Sequence, residues 1–165
     1  MEKPTSLSYK LILLTDSVYR EVSEYQHPLD RMKKVFDDKE IPYDRKKAHT
    51  QSVLTELYGV CKRNYEKIEK ILLFLDEIKA SAHPEIQDLI INIHSNLFKI
   101  RMTLVTICTI KFLPNIQGDI AEFDRQLTSL KVFGEQIFMS CNEYSHAIDD
   151  VANKALFDRK KFEPI

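Results

Sequence analysis

From Ile120 to Ala155 the chain reads IAEFDRQLTSLKVFGEQIFMSCNEYSHAIDDVANKA. Within it Ile120, Phe123, Leu127, Leu130, Gly134, Ile137, Cys141, Tyr144, Ile148, Val151 and Ala155 fall at alternating steps of three and four. On a helix that spacing keeps returning to one face and builds a single buried seam. The rhythm recurs in three more stretches. One runs through Leu7, Leu11, Leu14, Val18, Val22 and Tyr25 and continues across Pro28 to Leu29, Met32 and Phe36. Another takes Leu54, Leu57, Cys61, Asn64, Ile68, Ile71, Leu75 and Ile78, and the third takes Ile86, Ile90, Ile93, Leu97, Ile100, Leu104 and Ile107. Four such stretches predict an all-α fold, an antiparallel up-down-up-down four-helix bundle in one domain over residues 1–165.

Turn chemistry places the helix ends. The expected spans are 6–37, 47–81, 84–113 and 119–157. Pro28 lacks an N–H and predicts a kink or break in the first helix near residue 28. Asp37 to Lys47, charged and interrupted by Pro42, reads as the first loop. Pro84 suits the first position of the third helix. Pro114 stops it, Asn115 to Gly118 turns the chain, and Asp119 caps the fourth. Connections of only a few residues make helical neighbours antiparallel. Gly134, inside the last seam, reads as a point of close backbone packing.

Composition excludes more than it selects. The 165 residues carry a net charge of −1 and only three glycines. Near-neutral charge gives no general pull toward nucleic acid or an anionic membrane. Gly-rich phosphate loops are absent, and no cofactor is expected. No stretch reads as a signal peptide or a membrane span, so no membrane insertion is expected. Cys61, Cys108 and Cys141, odd in number and on or beside the seams, read as structural thiols in a reducing, cytoplasmic setting.

Two tetrads imitate the Glu-x-x-His pairs of di-metal carboxylate bundles: Glu24 with His27, and Glu143 with His146. In each the intervening tyrosine takes the seam, and the histidine two residues further points about 200° away. A metal site is therefore not expected. Arg20 and His27 have the spacing of a helical ribonuclease motif, but seven arginines and five histidines make one such pair expected by chance. His94 lies just past the seam residue Ile93 and lacks the lysine and small residue of a phosphotransfer site. It reads as a boundary histidine.

Apolar excess says more than any motif. Leu73, Phe74, Met102, Val105 and Phe112 exceed what the seams need, and large exposed apolar surface marks partner sites. The sequence therefore predicts a non-enzymatic protein acting through protein–protein contact, as an adaptor, inhibitor or immunity-type partner, or assembly subunit. Self-association through an apolar helix face is included. The alternative is a small-molecule or metal-binding bundle with a pocket between helices, and an enzyme ranks third.

Overall fold

Ser6 opens the first helix. Its backbone is extended and its Oγ accepts a hydrogen bond from Tyr9 N at 3.2 Å, which satisfies one of the four orphaned donors of a helix start. The helix, α1 (Leu7–Ser23), stops short of the proline expected to break it. Pro28 has no N–H to offer the carbonyl of Glu24, and its ring would collide with that carbonyl. The chain therefore closes α1 with Tyr25 N on Val22 O at 3.1 Å and restarts as α2 (Gln26–Asp37), with Pro28 in its first turn. The break falls at Glu24–Tyr25, three to four residues before the proline.

The computed structural model describes residues 6–112 and 116–162, with side chains described through residue 156. The third helix, α3 (Tyr43–Ser81), begins four residues earlier than the sequence suggests. Pro42 is extended at its N-cap, Asp44 lies in its positively polarised first turn, and Lys46 Nζ donates to Phe36 O at 2.8 Å. The charged loop shrinks accordingly. Next, α4 (Pro84–Thr109) starts on its proline as expected but ends before residue 113. Ile110 is extended and Phe112 turns into left-handed backbone at φ 60°. The expected stop at Pro114 and turn at Asn115 lie outside the described residues. In α5 (Ile116–Glu143), Asp119 occupies the first turn rather than the cap.

The last long helix is bent where the sequence predicts continuity. It resumes after Tyr144 as α6 (Ser145–Phe162). Tyr144 N donates to Ser140 O and Ile148 N to Tyr144 O, both at 3.0 Å, so the break is a bend and not a loop. A strict seven-residue repeat drifts about 20° per heptad on a straight helix. The drift shows in the seam. Ile137, Cys141, Ile148 and Ala152 are buried, whereas Tyr144 is 46% exposed and Val151 and Ala155 are only half-buried. The described residues thus form six helical segments and no strand, in place of the four helices expected.

Contacts between segments bring distant parts of the chain into register. Gln87 Nε2 donates to Lys79 O, His94 Nε2 lies 3.1 Å from Asp76, and Tyr58 OH donates to Ile110 O at 2.7 Å, all between α3 and α4 or its C-terminal cap. Lys99 lies over the Phe133 ring, linking α4 to α5. Ser8 meets Asp149 and Gln26 meets Asp124, which joins α1 and α2 to α6 and α5. Asn64, fully buried on α3, donates to Glu21 Oε2 on α1 at 2.8 Å and to Val60 O at 3.0 Å. The apolar core draws on all six segments, from Leu7 to Ala152. No helix among the described residues is long and apolar enough to cross a membrane.

Candidate functional site: the outward face of α4

Helix α4 is apolar on two faces. Ile90, Ile93, Leu97, Ile100, Leu104 and Ile107 are buried against the core. A second row points outward: Ile91, Phe98 and Val105 at steps of seven, with Met102 one turn beyond Phe98. These four are 47%, 41%, 39% and 44% exposed, so each keeps a large part of its apolar surface in water. From Ile91 to Val105 the row extends about 21 Å along the helix. A helix apolar on opposite faces is normally covered on both.

Cation–ring contacts frame this row on both sides. The Arg101 guanidinium lies 5.1 Å from the Tyr65 ring on α3 and 5.1 Å from the Phe98 ring. Its Nε is buried and has no hydrogen-bond partner among the described residues. On the other side Lys99 Nζ is 5.7 Å from the Phe133 ring of α5. Such contacts hold flat rings in place. Charge is polarised along the helix: Glu85 and Asp88 occupy its first turns, while Lys99, Arg101 and Lys111 belong to its second half and the residues just after it.

Of the residues proposed from sequence, Met102 and Val105 belong to this row. Leu73 is 66% exposed but lies on α3, and Phe74 is half-buried against the core. Phe112 is fully buried, its ring centroid 6.5 Å from that of Phe123. It is a core residue and no part of an exposed face. Its place in the α4–α5 connection hid this, because no periodicity operates outside a helix. Ile91 and Phe98 went unnoticed, although the steps from 91 to 98 to 105 were a signal parallel to the core rhythm.

The four Glu and His candidates are all exposed. Glu24 and His27 lie at the end of the molecule where Gln26 meets Asp124, and Glu143 and His146 near the end where Ser8 meets Asp149. Eighteen residues of helical rise, about 27 Å, separate those two ends. One ion cannot be shared across that gap. Among the described residues no group of three or more His, Cys, Asp or Glu side chains could hold a metal. His94 is the half-covered boundary residue expected, paired with Asp76.

A second apolar feature lies between α1 and α5. A groove of about 410 Å³ is lined chiefly by Ile12, Leu13, Tyr19, Leu130, Gly134 and Phe138. Gly134 faces Thr15 across it. A Cβ built on Gly134 would lie 3.7 Å from Thr15 Cβ, ordinary van der Waals contact. Glycine is therefore not required here for close approach. Gly134→Ala should raise stability by about 0.5–1 kcal/mol, the usual gain for alanine in a helix interior. Urea denaturation checks this, and a loss of stability would show that the two helices have no room for the added methyl.

Comparison with protein-family models, with curated proteins and with solved structures gives no match, so any function has to be argued from the geometry of this chain.

Proposed function

We propose that this protein acts through protein–protein contact, as an assembly or adaptor subunit, and that the outward face of α4 is its docking surface. The reading rests on one observation, the exposed row of Ile91, Phe98, Met102 and Val105. The first occupant proposed is a second copy of the chain. A two-fold axis at Phe98 sets Ile91 of one copy beside Val105 of the other. It also turns Glu85, at the acidic start of α4, toward Lys111, just past the end of its mate. A two-fold interface must be self-complementary in this way, and opposed charge fixes its register. The same proposal takes the six segments as an elaborated antiparallel up-down-up-down arrangement, with α1 and α2 as one bent arm and α5 and α6 as another. A cytoplasmic setting belongs to it too, supported by the odd number of cysteines.

Sedimentation velocity and native mass spectrometry test the proposal. The expected species is a dimer. Val105→Glu should weaken it at least about 100-fold, because a buried unpaired charge costs several kcal/mol. Circular dichroism should stay unchanged, since Val105 is not a core residue. A monomer at high micromolar concentration, or a dimer indifferent to Val105→Glu, would sink self-association by this face.

The α1–α5 groove favours a second reading, a small apolar ligand held between helices. Extra small-molecule mass on the native protein, lost on denaturation and on Gly134→Leu, would move the function there.

A further inference from the structure

Two of the three cysteines meet between α3 and α4. Cys61 is buried and Cys108 is exposed. Each sulfur lies close enough to the other to shift its ionisation. Contacts between α3 and α4 bracket the pair on both sides. Tyr58, one turn before Cys61, donates to Ile110 O, two residues after Cys108. Tyr65, one turn after Cys61, stacks under Arg101, two turns before Cys108. The sequence reading of three separate structural thiols therefore misses a pair.

The two sulfurs have unequal environments. Interaction with the Cys108 sulfur, together with burial, drives the Cys61 thiol far above the usual range. The same interaction lowers Cys108, against the opposing effect of its partial burial. An exposed sulfur biased toward thiolate beside a buried partner has the asymmetry of a nucleophilic and a resolving cysteine. Cys141 provides the contrast: burial first, then the charge of Asp149, pushes its thiol up to about 12.

We propose that Cys61 and Cys108 form a reversible dithiol–disulfide site whose oxidant is a peroxide. The Cys108 thiolate attacks one peroxide oxygen, the O–O bond breaks, and the products are a Cys108 sulfenic acid and hydroxide, which takes up a proton to become water. The Cys61 sulfur then attacks the Cys108 sulfur. The S–S bond forms, the S–O bond breaks, and the proton of Cys61 leaves with the hydroxyl as a second water. The two thiols together lose two electrons and the peroxide gains them. Closing from a non-bonded sulfur contact to an S–S bond of about 2 Å needs a shift on the order of 1–2 Å. The α4 terminus can supply it, because Cys108 lies next to the last helical residue, Thr109, and extended backbone begins at Ile110. None of this depends on the docking face.

The test treats the reduced 165-residue chain with hydrogen peroxide, unfolds it in urea, blocks the remaining thiols by alkylation, and maps the peptides. The expected product has lost the mass of two hydrogens, carries one alkyl group, on Cys141, and yields a linked Cys61–Cys108 peptide. Dithiothreitol should restore three alkylation sites. In Cys61→Ala the Cys108 sulfenic acid should persist and be trapped by a cyclic dione. Oxidation that stops at sulfinic or sulfonic acid on Cys108 in the wild-type chain would overturn the proposal. So would chains linked to each other through Cys108, or a linked pair that includes Cys141.

Discussion

Replacing Phe112 with alanine is expected to lower the unfolding free energy by about 3–4 kcal/mol, the usual range for truncating a fully buried phenylalanine. The ring has no exposed surface and packs against Phe123 across the α4–α5 connection. Its backbone adds a second signature. At φ 60° a residue with a Cβ is strained by about 1–2 kcal/mol relative to glycine. Burial of the ring outweighs that strain, which explains why a phenylalanine occupies a position that suits glycine. Phe112→Ala loses the ring and keeps the strain. Phe112→Gly loses the ring and relieves the strain, so it should be no worse than alanine despite its greater unfolded-state entropy. In thermal unfolding of a chain this size the alanine variant should lose about 10 °C in Tm. A loss below about 1 kcal/mol, or a glycine variant much less stable than alanine, would contradict the buried, left-handed placement.

Phe112 also shows what a sequence can and cannot say. The helices were legible because burial imposes a period on them, and Leu57, Cys61, Asn64, Ile68, Leu75 and Ile78 are buried as their spacing predicts. Inside a connection nothing repeats, so Phe112 looked like surplus apolar surface when it was core. Pro28 was read correctly as a breaker, but its effect acts on the carbonyl four residues earlier, which moves the break to Glu24. Tyr144 fails for a different reason. Steps of three and four average 3.5 residues per turn while the helix has 3.6, so a seam written over eleven positions drifts off the core by its end.

The candidate surface was half legible. Met102 and Val105 stood out because the core of α4 was already complete without them. Ile91 and Phe98 lie in the same seven-residue row as Val105, and their exposure shows only in the packing of α4 against its neighbours. Contacts between elements left no trace in the local pattern. Cys61 and Cys108 are 47 residues apart, and only the register of α3 against α4 brings them together.

Asp149 is the long-range contact with the largest expected consequence. Its Oδ1 accepts from Ser8 N at 2.9 Å, and its Oδ2 accepts from Ser6 Oγ at 2.9 Å and Ser8 Oγ at 3.1 Å. A carboxylate from α6 thus completes the N-terminus of α1, where backbone N–H groups are unsatisfied and the helix dipole favours negative charge. Hydrogen bonds to a charged group are the strong ones, and losing this set should cost about 2–3 kcal/mol in Asp149→Ala. Asp149→Asn keeps an acceptor and loses the charge, so it should lie between. The effect should be felt first at the α1–α6 contact. Cys141, buried just before the bend into α6, reports on it. If Asp149→Ala loosens that end by about 2 kcal/mol, alkylation of Cys141 should quicken roughly 30-fold beyond the gain from removing the Asp149 charge that raises its thiol, while urea unfolding stays cooperative. Equal reactivity of Cys141 in both proteins, alongside a loss of global stability, would mean that α6 opens only with the rest of the molecule. Unchanged stability would mean that water replaces the carboxylate at the start of α1 without loss.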